Sequence, residues 1–368
     1  MSIAARLPRT ITEQVRAFRM ENADLEMIDM RRSGSLELGI GANQVSANPF
    51  APPTDFPMQI ERLEGPIVGR EIPVHHGPTG FRFFLDGAQK TLPVTRAGLV
   101  PISVALSTAG ILERDERGEA QLAARAMREN QTWLFPLRTS SPELDRWQEW
   151  LSDRGADIRD PLLGAKTDGD YQQLASHYGR LIELSQRMSG NLRALLEYDL
   201  LDMWRYELGP EYPDHWLIVD GTLRRYSSNM IGLVKSFQMQ HFIGEEAVAL
   251  FELPQGYRTT AFRELADVHE VEDDIYNGPV EKGERPTMWY QRFWDASGLD
   301  ARHGLVRIEA PPEVNTTAQI DELASWLMTE RLPRPTMDPR WPTLLYPIHF
   351  LEEILKRRLA GMTTGWPS

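Results

Sequence analysis

The chain has 368 residues, of which 41% are hydrophobic and 25% charged, the balance of a folded globular protein rather than a disordered one. It contains no cysteine, which excludes disulfide scaffolds, thiolate zinc sites, iron–sulfur clusters and a cysteine nucleophile. Its 40 basic and 53 acidic side chains leave a net charge of −13, so the molecule as a whole does not attract nucleic acid, although local basic patches can still bind phosphates. No apolar stretch has the length of a signal peptide or of a membrane span, which predicts a soluble, cytoplasmic protein.

An N-terminal arm is predicted over residues 1–78, packed along a main domain that covers residues 79–368. The arm begins with a helical pattern over about 10–30. A Pro-rich stretch at 47–57 follows, and it can sustain neither a helix nor a central strand.

The main domain begins with a strand pattern at Phe81. Strands are predicted over 81–86 and 89–94, with a turn at Gly87 between them, and a third strand over 102–106. Three strands in quick succession indicate an antiparallel meander at the start of a mixed sheet.

A helical insertion is predicted at about 140–208. Its apolar residues have helical spacing over 142–151 and again over 168–208, where Gly190 is expected to divide the pattern into two helices.

The strand pattern returns after the insertion. Residues 216–220 form a continuous apolar run that ends in an aspartate, typical of a strand buried on both faces. Further strands are predicted around 232–235, 257–263, 288–293 and 304–309, and closing helices at about 316–329 and 344–359. The predicted fold class is α/β (mixed), a sheet flanked by helices.

Two Asp-Gly pairs are the main candidates for chemistry. Asp86-Gly87 and Asp220-Gly221 each follow an apolar strand, where a carboxylate projects from a fixed position and the glycine lets the chain turn away. Two such aspartates on neighbouring strands would hold a divalent cation, and hard oxygen ligands without thiolate favour Mg²⁺ or Mn²⁺. The alternative is that both pairs are ordinary hairpin turns.

Two further charged residues are candidates for the same site. Glu197 shares a helix face with apolar residues and would be desolvated there without a cation, either a metal ion or Arg193 one turn earlier. Lys235 ends a strand after the second aspartate, where it would neutralise the carboxylates or hold a phosphate, unless it is an ordinary edge lysine.

The last helix offers His349, Glu352 and Glu353 on one face, for a metal ligand or a proton-transfer group, or simply as a solvated helix end. Other sites are not supported, because there is no Walker A loop, no dinucleotide-binding Gly motif after a strand, no His-Glu-x-x-His and no Gly-x-Ser-x-Gly elbow.

The succession of short motifs resembles the NurA nuclease family from about residue 80 to 360. In chain order the motifs are the strand ending in Asp86-Gly87, the insertion with Glu197, Val219–Leu223 with Lys235 downstream, Trp289–Phe293, Gly304–Pro311 and Leu345–Pro347 before the last helix. The resemblance implies an RNase H-like core and a phosphodiesterase site with two metal ions, preferably Mn²⁺. It also implies a homodimer that processes DNA ends with a hexameric HerA-type translocase ATPase.

Carried over to this sequence, the resemblance makes Asp86, Glu197 and Asp220 metal ligands and Lys235 a phosphate contact. The family places a histidine or aspartate about two turns into the last helix, where this chain has Glu353, so either Glu353 or His349 would complete the site. The clusters Arg224-Arg225 and Lys356-Arg357-Arg358 would guide the DNA backbone without reading its sequence.

The leading hypothesis is therefore a Mn²⁺- or Mg²⁺-dependent deoxyribonuclease, acting with the ATPase in DNA end processing or anti-phage defence. A second is a catalytically impaired RNase H-like subunit that binds DNA or a partner. An Argonaute-like nuclease ranks last, because no guide-binding portion is evident.

Overall fold

The computed structural model describes residue 20 and residues 59–223, 227–235, 241–265 and 285–362. Apart from residue 20, the predicted helix at 10–30 lies outside the described residues, as does the Pro-rich stretch. The same holds for Arg224 and Arg225.

Twelve strands in the described ranges form one mixed sheet. They are β1 Ile60–Arg62, β2 Gly69–Glu71, β3 Phe81–Ala97, β4 Val100–Arg114, β5 Ala120–Leu134, β6 Asp157–Arg159, β7 Trp216–Asp220, β8 Met230–Val234, β9 Tyr257–Thr259, β10 Phe262–Glu264, β11 Thr287–Arg292 and β12 Leu305–Ala310. The order is β1-β10-β11-β12-β8-β7-β3-β4-β5-β6, with β9 pairing both β2 and β11. The β3/β7, β7/β8 and β5/β6 pairs are parallel and the other pairs are antiparallel. The mixed α/β class is confirmed.

The helices flank this sheet. They are α1 Pro142–Ser152, α2 Asp168–Ala175, α3 Tyr178–Met203, α4 Gly244–Phe251, α5 Thr317–Glu330 and α6 Tyr346–Met362. Their starts follow local sequence: the Ser141 side chain accepts a hydrogen bond from Leu144 N–H ahead of α1, and Thr316 with Gln319 forms a capping box on α5. None of the helices in the described ranges is both long and apolar enough to cross a membrane.

Alternation along the central strands sorts side chains into two layers. On β3, Phe83 and Leu85 are buried in a cluster with Leu200 of α3. Phe84 between them points the other way, into the larger core beneath α5 and α6, where it packs with Ile348. The same alternation determines on which face of the sheet the side chains of the later β3 residues lie.

The predicted turn at Gly87 is wrong. β3 runs through Gly87 without interruption because β4 pairs with it along almost its whole length, with Gly87 opposite Ala109. The chain reverses instead at Gly98, whose φ of +58° lies in the left-handed region that glycine tolerates. The meander therefore consists of β3, β4 and β5, and its third strand, 120–134, was not predicted.

The predicted division at Gly190 is also wrong. Gly190 lies inside α3 beside the Gln89 side chain of β3, where a Cβ would make only an ordinary contact of 3.6 Å, so the helix continues through it. The helical pattern breaks earlier, at His177, whose ring nitrogen accepts a hydrogen bond from Arg180 N–H and caps α3.

Both the N-terminal arm and the insertion contribute to the sheet. In the arm, β1 pairs with β10 and β2 with β9. Within the insertion, β6 pairs in parallel with β5 at the far edge. The predicted strand at 257–263 is two short strands, β9 and β10.

Candidate active site

The two aspartates lie side by side on neighbouring parallel strands, Asp220 at the end of β7 and Asp86 within β3. Leu85 of β3 pairs with Val219 of β7, so the next residue on each strand is Asp86 and Asp220. Because parallel strands run in the same direction, these two carboxylates reach the same edge of the core.

Lys235 lies at the same edge and on the same face. It directly follows β8, in which Leu233 pairs with Asp220 of β7. Side chains two residues apart on a strand lie on the same face of the sheet, so Lys235 shares a face with Leu233, and Asp86 shares one with Phe84. Leu233 and Phe84 both belong to the core beneath α5 and α6.

Lys235 and Asp220 form an ion pair, with Nζ 2.6 Å from Oδ2, and their side chains are only 11% and 20% exposed. Asp86 is 5% exposed, and its Oδ1 accepts a hydrogen bond from Gly87 N–H at 2.7 Å. Burial raises the pKa of Asp86 well above its ordinary value, Asp220 and Glu197 raise it further, and Lys235 opposes the shift. The Asp86 carboxyl is thus a buried acid that lacks sufficient positive charge around it.

Glu197 reaches the same region from α3, on the other side of β3. A Cβ on Gly87 would overlap Glu197 Oε1 and come 3.0 Å from Arg193 Cγ, so the missing side chain lets this glutamate lie directly on the strand. Glu197 is paired with Arg193, with Nη1 2.7 Å from Oε1, which is the alternative partner expected from the sequence. Gly87 therefore serves close approach, and Gly221, with a φ of +124°, serves the turn.

The candidates on the last helix have contacts of their own. Glu353 lies 3.6 Å from Lys356 on the same helix, and Ile354 beside it packs against the main core. Glu352 pairs with Arg340 at 2.8 Å, and His349 Nδ1 is buried without a hydrogen bond. The described contacts do not join either Glu353 or His349 to the two aspartates.

The basic end of α6 does pass near the site. Leu355 comes within 3.5 Å of where a Cβ on Gly110 would be, and Gly110 is the β4 residue opposite Asp86. The next residues, Lys356, Arg357 and Arg358, are exposed.

Asp86 and Asp220 are the side chains of this site whose chemistry suits a divalent ion. Within the part of the chain that the structure describes, no group of three His, Asp or Glu side chains could hold a metal ion. Asp86 is buried and Asp220 beside it is partly buried, and their carboxylates are the hard oxygen donors that Mg²⁺ or Mn²⁺ takes. The raised pKa of Asp86 marks a place where added positive charge is favourable. An ion there would share Asp220 with Lys235.

Sequence reasoning took Arg307 and Glu309 only as letters of a family motif and assigned them no role. In the structure they form a buried ion pair on β12, and Glu309 also accepts Leu223 N–H at 2.8 Å, two residues past the turn at Gly221. The signal was present: two charged residues at alternate positions of an otherwise apolar strand need a buried partner.

Comparison with known proteins adds no assignment to this geometry. The chain matches no family model and no curated protein. The resemblance to NurA nucleases thus stays a prediction from the order of short motifs.

Proposed function

We propose that this protein is a metal-dependent DNA nuclease of the NurA kind, which acts with a HerA-type hexameric ATPase in DNA end processing or anti-phage defence, as a homodimer. One observation carries the proposal: Asp86 within β3 and Asp220 at the end of β7, from distant segments, lie beside each other on adjacent parallel strands with Lys235 bonded to Asp220. A mixed sheet in which a meander continues into two parallel strands agrees with the RNase H-like core that the resemblance implies.

Each of the three residues has a role suited to phosphodiester hydrolysis. Asp86 and Asp220 would hold the ion, and Glu197 is a further carboxylate close enough for its charge to raise the pKa of Asp86. A divalent ion bound there supplies an activated water and stabilises charge on the leaving oxygen. Lys235, a compact cation with three donors, would contact a non-bridging phosphate oxygen and move away from Asp220 to do so.

The first test is cleavage of linear DNA by the purified protein with Mn²⁺, for the wild type and for Asp86→Ala and Asp220→Ala. Loss of either carboxylate should lower the rate by more than about 100-fold, since even the hydrogen-bonding partners of metal ligands contribute roughly 10–100-fold. Asp168→Ala is the matched control, because that aspartate is 95% exposed on α2, and it should cleave like the wild type. Cleavage that survives Asp86→Ala or Asp220→Ala would refute the proposed site.

A second candidate function is a catalytically impaired subunit that binds DNA or a partner. The observation that favours it is that two of the carboxylates already have protein cations, Lys235 on Asp220 and Arg193 on Glu197. Under this function the lysine replaces the metal ion instead of assisting it.

The variant Lys235→Met separates the two candidates, with bound Mn²⁺ followed by electron paramagnetic resonance. If Lys235 contacts phosphate, the variant keeps Mn²⁺ binding and loses about 100-fold in cleavage rate, the usual cost of one stabilising donor. If Lys235 replaces the ion, the wild type neither binds Mn²⁺ nor cleaves DNA, and Mn²⁺ binding appears only in the variant.

A further inference from the structure

The loop that follows Asp220 is held from beneath by β12. Glu309 is 2% exposed, and its two oxygens have separate tasks: Oε2 accepts Leu223 N–H at 2.8 Å, and Oε1 accepts from Arg307 Nη2 at 2.7 Å. Both residues lie on the face of β12 opposite Ile308, which belongs to the core beneath α5 and α6.

The same loop lies in direct contact with β8. A Cβ on Gly232 would come 2.6 Å from Gly221 O and 3.0 Å from the Leu223 side chain, so only glycine leaves room for the loop to cross there. Gly221 N–H donates to Leu233 O at 2.9 Å, and Leu223 is buried. The loop is therefore fixed to β8 by one backbone bond and to β12 by one carboxylate.

Glu309 is in turn held by a polar chain that runs through Arg307, Tyr290 and His241 to Glu264. Arg307 is buried beside Tyr290, whose hydroxyl lies 2.6 Å from His241 Nδ1, and His241 Nε2 lies 2.9 Å from Glu264 Oε1. The Glu309 carboxylate, bonded to Leu223 N–H on one oxygen and to the buried Arg307 on the other, has little freedom to rotate.

We infer that Glu309 is a positioning residue for the candidate site: by binding Leu223 N–H it fixes the turn after β7 and so holds the Asp220 carboxylate beside Asp86. The inference rests on the proposed function. Asp220 is joined directly to this turn, and its only described side-chain partner is Lys235. Without the carboxylate beneath it, Leu223 N–H is left unpaired in the core, and the end of β7 loosens.

The test compares two double variants that both remove the buried charges. Arg307→Met with Glu309→Leu has no acceptor for Leu223 N–H, whereas Arg307→Met with Glu309→Gln keeps one. Replacing both members of a buried ion pair with apolar side chains of similar size is often tolerated, so the leucine variant should fold. The glutamine variant should fold too, because its neutral amide keeps an oxygen for Leu223 N–H and leaves no unpaired charge.

Two readouts are needed, Mn²⁺ dissociation constants and deuterium uptake in peptides that contain Leu223. The leucine variant should bind Mn²⁺ about tenfold more weakly than wild type, in the range seen when supports of metal ligands are removed, and its Leu223 peptides should exchange at least tenfold faster. The glutamine variant should recover most of both values.

A control removes a partly buried ion pair near the start of β3. Arg114→Met with Glu330→Leu breaks an ion pair of 2.6 Å near Phe81, about 16 Å along the strand from Asp86. It should lower Tm without changing Mn²⁺ affinity or exchange at Leu223.

Equal Mn²⁺ affinity and equal exchange in the leucine and glutamine variants would overturn the inference. A wild type that binds no Mn²⁺ would overturn the proposed function instead, and exchange at Leu223 would still decide whether Glu309 holds the loop.

Discussion

Asp86 is the residue of the candidate site whose negative charge its surroundings disfavour most clearly. Its carboxyl is buried next to Asp220, and the single lysine nearby is bonded to that neighbour rather than to Asp86. Ionisation of Asp86 therefore destabilises the folded state, whereas ionisation of a carboxylate in a purely structural ion pair would stabilise it.

This cost predicts that Asp86→Asn stabilises the metal-free protein at neutral pH, while Asp220→Asn destabilises it by leaving Lys235 unpaired. In Asp86→Asn the amide oxygen of the new side chain would still accept a hydrogen bond from Gly87 N–H. A gain on the order of 1 kcal/mol corresponds to roughly 2 °C in Tm for a chain of this size. Thermal unfolding in a chelating buffer measures both variants.

The pH dependence follows from the raised pKa. The unfolded carboxyl ionises near its ordinary value of 3.8 and the folded one only at higher pH, so wild-type stability declines across that interval. The advantage of Asp86→Asn should grow over the same interval and vanish below it. An advantage that persists at pH 3 would contradict this explanation.

At the level of elements, the contact between α3 and β3 depends on Gly87. The Glu197 carboxylate lies where a side chain on Gly87 would be, and Arg193 lies beside it. Because the Glu197 carboxylate is the far end of a flexible side chain, it can move aside at little cost in stability, but it then leaves the site.

The free energy of unfolding of Gly87→Ala should therefore stay within about 1 kcal/mol of the wild-type value. The substitution should nevertheless displace Glu197 and weaken Mn²⁺ binding. In a Glu197→Ala background the same substitution should have no further effect on Mn²⁺, because the displaced group is already gone. Mn²⁺ titration of the four proteins completes the cycle. Additive losses in the double variant would show that Gly87 acts by some other route.

Local sequence predicted the type of most elements but not their lengths. The apolar patterns of the sequence predict β7, β12, α1 and α5 within a few residues of their observed bounds. The length of β3 depends on β4, because a paired backbone stays extended through Gly87 whatever its turn propensity. Gly190 likewise stays inside α3, because one glycine costs a helix only about 1 kcal/mol and the packing of the surrounding turns outweighs that cost.

At the scale of the whole molecule, charge restricts where DNA can approach. A net charge of −13 repels phosphates over most of the surface, so binding needs a local basic patch. Lys356, Arg357 and Arg358 form such a patch at the end of α6, starting one residue beyond the leucine that packs beside the Asp86 strand.

Changing Lys356, Arg357 and Arg358 to Ala should weaken DNA binding and make it less sensitive to salt. Each phosphate contact on duplex DNA contributes roughly 0.9 to the slope of log K against log salt concentration. If all three residues contact phosphates, the magnitude of that slope should therefore fall by about 2.7. Filter binding from about 50 to 200 mM salt measures the slope. A matched triple in the insertion, Arg154, Lys166 and Arg180 to Ala, is equally exposed and should leave the slope unchanged.

The sequence by itself determined the mixed α/β class, the strand that ends in Asp220 and the aspartates worth testing, because apolar periodicity and strand-end residues are local properties of the chain. Only the tertiary structure decided that β3 continues past Asp86, that Lys235 pairs with Asp220, that Glu197 approaches over Gly87 and that Glu309 lies under the next turn. The reason is that each of these depends on which distant strand or helix packs alongside, and pairing between distant segments is set by the whole core rather than by any short stretch of residues.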